Sequence, residues 1–144
     1  MKHKGFTLIE LLVVMAIIAV LAGLVSSAAQ VARKRGTITK AKAAIAALET
    51  SLSMYEVDIG DFPEGDIVDV VTSLSDPTGS VEWNGPYMKF TRDELSSDGE
   101  YLDPWGNPYV YTYPGKENVF SYDLYSRGPN GKGDGNDSDD ITNW

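Results

Sequence analysis

Two stretches of this sequence concentrate residues whose types could do chemistry. The first is built around Glu10. It is the one acid among residues 1–42, and it heads a run from Leu11 to Ala32 that carries no charge. A carboxylate at a bilayer centre costs about 2.5–3.5 kcal/mol on insertion scales, and less near the membrane edge, so an acid beside such a run is a functional candidate. The second stretch is Ser126 to Asp140, with four glycines and four aspartates in fifteen residues. Carboxylates, amides and backbone carbonyls are hard oxygens that suit calcium, and glycines let a loop fold tightly around an ion. The spacing is not that of an EF-hand. Composition alone therefore leaves a calcium loop and a flexible solvated loop both open. A phosphate cradle is excluded. No Ser or Thr follows Gly131-Lys132, and no glycine stands five residues before Gly131.

Much other chemistry is excluded by composition. The chain has no cysteine and one histidine, His3. That rules out a disulfide scaffold, a thiolate zinc site and a cysteine nucleophile, and disfavours histidine-based triads and metal sites. Net charge is −9, from 12 basic and 21 acidic residues, a poor match to nucleic acid. The charge is also segregated. Residues 1–42 carry seven basic residues and one acid, and residues 43–144 carry five basic residues and twenty acids. Twenty acids always supply carboxylate pairs, so their number alone is no sign of an enzyme.

The elements that hold these two stretches follow from the pattern. The uncharged run Leu11–Ala32 is 22 residues long, about 33 Å of helix and close to a bilayer's hydrocarbon thickness. A cleaved secretory signal shares its basic start, Lys2, His3 and Lys4, but has a shorter apolar core. A plain membrane anchor fits the length and leaves Glu10 unexplained. Beyond Arg33-Lys34-Arg35, the residues Ile38, Ala41, Ile45, Leu48, Leu52 and Tyr55 recur every three or four positions, the stripe of an amphipathic helix. The alanines from Ala41 to Ala47 favour helix, and no proline occurs before Pro63. One helix from about Phe6 to Val57 is expected, ending at Gly60 and Pro63, with Gly36 as a weak point. A short helix over Ile67–Leu74 should bury Ile67, Val70, Val71 and Leu74. Residues Asp76–Gly79 read as a loop. Tyr109–Tyr113 and Val119–Ser126 read as an antiparallel hairpin. Trp105 and Trp144 read as core residues. The fold class is α+β: a long N-terminal helix on a small antiparallel sheet.

The string Lys4-Gly5-Phe6-Thr7-Leu8-Ile9-Glu10 resembles the class III leader of type IV pilins and pseudopilins. The resemblance implies a leader at 1–5 and cleavage by prepilin peptidase between Gly5 and Phe6, with N-methylation of Phe6. It further implies a transmembrane and assembly helix at 6–32, its amphipathic continuation at 33–60 and a globular domain at 61–144. Glu10 falls at the fifth mature position, where it can pair with the free amine of a neighbour's Phe6. Many relatives have a proline where this chain has Ser27. Asp103-Pro104-Trp105-Gly106-Asn107-Pro108-Tyr109, Pro114-Gly115, Asp123-Leu124-Tyr125-Ser126 and Asp140-Ile141-Thr142-Asn143-Trp144 are similar, in order, to motifs of the major pseudopilins of type II secretion.

That resemblance implies a structural subunit rather than an enzyme. It implies a single-pass inner-membrane protein with a periplasmic domain. It would form a helical homopolymer with minor pseudopilins and an inner-membrane assembly platform, serving export of folded proteins. A type IV or competence pilin is the alternative. The resemblance also implies calcium in the C-terminal loop. Asn130 stands where the family has its first aspartate ligand and Asp137 stands at the second carboxylate position. Arg127 and Lys132 stand where main-chain carbonyls contribute, and Asp139 and Asp140 complete the implied ligand set. A cysteine-free lobe of this size needs some other staple, and calcium would serve.

Overall fold

The computed structural model describes residues 5–76 and 82–144, with the side chains of 24–28 left aside. Residues 1–4 of the expected leader 1–5, the Ser27 side chain and most of the expected loop Asp76–Gly79 lie outside the described residues. The element order is α1 (Leu8–Ile59), α2 (Ile67–Ser75), β1 (Val110–Thr112), β2 (Asp123–Ser126) and β3 (Ile141–Thr142). Single 3-10 turns occur at Arg92–Glu94 and Gly128–Asn130. By internal contact the chain divides into two units, Met1–Gly36 and Thr37–Trp144.

Helix α1 is closed at both ends by local chemistry. Thr7 and Glu10 form a capping box: Thr7 N–H and Oγ donate to Glu10 Oε2 at 2.9 and 2.7 Å, and Glu10 N–H donates to Thr7 Oγ at 3.3 Å. The two backbone bonds satisfy N–H groups at a helix start that lack an intrahelical partner. At the other end Gly60 adopts φ 93° and its N–H returns to Glu56 O at 2.7 Å, a left-handed stop that glycine takes without steric cost. In the first unit the apolar side chains are exposed around the helix, among them Leu8, Leu12, Met15, Ile18 and Leu21. Among the described residues no helix is long and apolar enough to cross a membrane. The uncharged run 11–32 includes residues 24–28, whose side chains are among those left aside.

The second unit has one core. Ala41, Ile45, Leu48 and Leu52 of α1 are buried, with Ile38 and Tyr55 half-buried at the ends of the stripe. Against them pack Ile67, Val70, Val71 and Leu74 of α2, all four buried. Helix α2 begins with a second capping box, Asp66 Oδ1 accepting from Val68 N–H at 2.8 Å and Asp69 Oδ2 accepting from Asp66 N–H at 3.0 Å. The rest of the core is largely tyrosine. Tyr101 and Tyr109 stack at 5.2 Å. Tyr111 donates its hydroxyl to Pro63 O at 2.8 Å, the partner that a buried phenol needs. Burial pushes the phenols of Tyr109, Tyr111 and Tyr122 above their ordinary range.

The sheet runs β1-β2-β3, antiparallel throughout, with Tyr111 opposite Leu124 and Tyr125 opposite Thr142. Two expectations need correcting. The second strand begins at Asp123, not Val119. Asp123 accepts the N–H groups of Lys116, Glu117 and Asn118 at 2.6, 3.0 and 2.8 Å, and Gly115 N–H bonds Ser121 O at 2.8 Å. These bonds curl 115–122 into a loop and leave Phe120 fully exposed. Trp144 is not in the core. It is 41% exposed and sits edge-on against Tyr125. Trp105 is half-buried against the core, as its apolar ring dictates.

Candidate functional site

The N-terminal candidates lie on the first turns of α1. Gly5 is exposed, and a Cβ built on it would touch nothing within 4 Å. The Gly5–Phe6 peptide therefore stands in open space. Phe6 is 74% exposed. Phe6, Ile9, Glu10, Val13 and Val14 border one shallow apolar depression of about 390 Å³. Glu10 thus presents a carboxylate on an otherwise apolar surface. Its role as the helix cap of Thr7 was not part of the sequence reading. The signal for it, Thr7-x-x-Glu10 ahead of an apolar run, is present in the residues.

The C-terminal candidates lie between β2 and β3. The structure brings two of them together at Gly133. A Cβ there would stand 2.7 and 2.9 Å from the two carboxylate oxygens of Asp140 and 3.0 Å from Asp137 Oδ2. Gly133 has φ 116°, which only glycine adopts readily. Asp140 Oδ2 accepts from the N–H groups of Gly135 and Asp137, each at 3.0 Å. Asp140 Oδ1 is buried without a hydrogen-bond partner. An unpaired carboxylate oxygen is costly, and beside a second carboxylate it is suited to a hard cation.

The other candidates are arranged differently. Asn130 Nδ2 donates to Asp139 Oδ1 at 2.8 Å, and Asn130 Oδ1 accepts from Lys132 N–H at 2.5 Å. Asn130 and Asp139 are therefore occupied with each other rather than turned to Asp137. Burial raises the Tyr125 phenol, and the Arg127 charge lies close enough to lower it against that burial. Among the described residues no three acidic or imidazole side chains form a metal-holding group. A cation at Gly133 would draw on Asp137, Asp140 and loop carbonyls to reach six to eight oxygens. The donor set fits calcium in kind, with two carboxylates at its centre.

The sequence reading missed what holds this loop. Ser126, fully buried, donates its hydroxyl to Asp103 Oδ2 at 2.5 Å and accepts Gly128 N–H at 3.0 Å. Asn107 Nδ2 donates to Gly128 O at 3.1 Å. The only sequence hint was the turn composition of Asp103–Pro108.

Comparison with known proteins bears on both ends of the chain. Residues 30–144 match the family "Type II secretion system (T2SS), protein G", and residues 1–26 match the "Prokaryotic N-terminal methylation motif". A type II secretion system core protein G from Pseudomonas aeruginosa is 38% identical, over 99% of this chain and 96% of the relative. Those of Escherichia coli and Vibrio cholerae are 37% and 33% identical, each over 99% of this chain and 92% of the relative. The fold is similar to the crystal structure of the major pseudopilin from the type 2 secretion system of enterohaemorrhagic Escherichia coli. That match has a TM-score of 0.50 and 27% identity, over 80% of this chain and 92% of that one.

Proposed function

The chain belongs to the type II secretion system protein G family and is a structural pseudopilus subunit, not an enzyme; from that premise we propose how its residues serve assembly. Prepilin peptidase cuts between Gly5 and Phe6 and the new terminus is methylated. The match of residues 1–26 to the methylation motif and the open Gly5–Phe6 peptide support this. The run Leu11–Ala32 holds the subunit in the inner membrane, with Lys2 and Lys4 on the cytoplasmic side and the lobe in the periplasm. Subunits then polymerise helically with minor pseudopilins on an inner-membrane platform, and the filament drives export of folded proteins.

Glu10 carries this reading: it is an exposed carboxylate within an apolar surface. After cleavage the Phe6 amine is cationic near neutral pH. Pairing it with Glu10 of a neighbouring subunit offsets a charge that is penalised in lipid, and so selects correctly registered subunits. Calcium in the C-terminal loop would supply positive charge between carboxylates that otherwise repel. Asp137 and Asp140 would hold it, and the unpartnered Asp140 oxygen supports this. Held in that way, the two limbs of the loop would be tied together beside β2 and β3.

The test is mass spectrometry of the chain from membranes of a host with an intact secretion system. The expected mass begins at a methylated Phe6. An intact Met1 terminus, or a cut near Ser27, would contradict the proposal.

A further inference from the structure

The turn Asp103–Asn107 holds the acidic loop at Gly128, its carbonyl directly through Asn107 and its N–H through Ser126. The turn is rigid in itself. Asp103 Oδ1 accepts the N–H groups of Trp105 and Asn107, each at 2.9 Å, and Asp103 N–H bonds Asn107 O at 2.8 Å. From this base Asp103 reaches Gly128 N–H through the Ser126 hydroxyl, and Asn107 reaches Gly128 O directly. Gly128 has φ 62°, and a Cβ there would stand 2.1 Å from Asp139 O. The same Asn107 places Oδ1 2.7 Å from where a Cβ of Gly131 would be. The outgoing limb of the loop, Gly128 to Gly131, is therefore flush against Asn107 on one side. At Gly128 it is flush against the returning limb, which carries Asp137, Asp139 and Asp140.

We propose that Asp103, Asn107 and Ser126 are positioning residues for the cation pocket, fixing the outgoing limb against the returning limb that carries Asp137 and Asp140. This rests on the calcium reading above. A loop rich in glycine loses much conformational freedom when it orders around an ion. Bonds that order it beforehand lower that cost and raise affinity. The coupling is reciprocal: a bound cation stabilises the turn as the turn stabilises the pocket. The turn lies on the lobe's own helix face, because Asp103, Pro104 and Gly106 line a cleft with Lys40 and Ala44 of α1. Cation binding is thereby linked to the part of α1 on which the lobe is built.

The experiment is calcium titration calorimetry on the full chain in detergent, with melting curves in calcium and in chelator. Asn107→Ala should weaken calcium binding about tenfold, the scale of one lost hydrogen bond. Its loss of melting temperature should be larger in calcium than in chelator. Tyr111→Phe, which removes the bond to Pro63, should lose the same melting temperature in both conditions and keep wild-type affinity. Asn107→Ser retains a short donor and should fall between Asn107→Ala and wild type; it carries the test if the alanine variant does not fold. Wild-type affinity in both Asn107 variants would overturn the positioning role and leave the calcium reading standing. A wild-type chain that takes up no calcium would overturn both.

Discussion

Residues 8–36 and 37–59 belong to one helix, yet they solve different problems. In the earlier half the described apolar side chains are exposed around the helix; in the later half most form one buried stripe, with Met54 and Val57 left exposed beside it. Backbone geometry is the same, so the difference lies in side-chain pattern alone. All-round apolarity suits a helix that has lipid or neighbouring subunits on every side, and a stripe suits a helix with one core to face. Charge changes sign a little further along, basic before residue 43 and acidic after it. One element thus carries both the proposed assembly surface and one wall of the lobe's core.

The largest effects should separate these halves. Leu52→Ala empties a fully buried position and should cost the lobe about 2–5 kcal/mol in thermal or denaturant unfolding. Leu12→Ala, at an exposed position, should leave the lobe's midpoint unchanged. Equal losses would break the comparison.

Calcium should act on the lobe alone. A cation that binds only the folded state adds about 2.7 kcal/mol at a hundredfold excess over Kd. Asp137→Ala should abolish most of that gain, and magnesium should replace calcium poorly because it demands tighter octahedral geometry. Melting curves in calcium and in chelator read both effects, and coincident wild-type curves would return the loop to a plain solvated one.

A smaller effect concerns acid. Burial alone would raise the Asp123 carboxyl, but the N–H groups of Asn118, Glu117 and Lys116 outweigh it and hold the group below its ordinary range. Glu94 is lowered as well, chiefly by the Thr91 N–H and then its hydroxyl. A lowered folded pKa gives stability that is present above the unfolded value, about 3.9 for Asp and 4.3 for Glu, and is lost as pH falls through the folded value. The lobe should therefore weaken as pH drops below about 4. Asp123→Asn should flatten that dependence, at a cost of about 2 kcal/mol near neutrality. An unchanged acid profile in this variant would remove Asp123 from the account.

Periodicity made both helices legible, because a stripe of six residues or a face of four repeats often enough to be seen. The sheet was legible only in part. Ile141 and Thr142 form a two-residue strand, too short for any alternation, and it exists because β2 offers it a partner. The start of β2 was hidden for a related reason. Val119–Tyr122 has strand composition, but Asp123 gathers three N–H groups from 116–118 and bends the chain away from the ladder. At the C-terminal site the carboxylates were legible as a cluster. Their grouping was not, since Asp140 with Asp137, and Asn130 with Asp139, depend on where Gly128 and Gly133 turn the backbone. The bonds from Asp103 and Asn107 span about twenty residues and leave no local signature.

On the proposed function, Glu10 serves assembly through its charge. Glu10→Gln isolates it, because glutamine keeps an acceptor for the Thr7 N–H and hydroxyl and so preserves the helix cap. The decisive measurement is the yield of sheared filaments from cells making this variant, alongside its membrane fraction and N-terminal mass. The account predicts a chain that is inserted, cleaved before Phe6 and folded in its lobe, yet forms few filaments. Filaments at wild-type yield would contradict it.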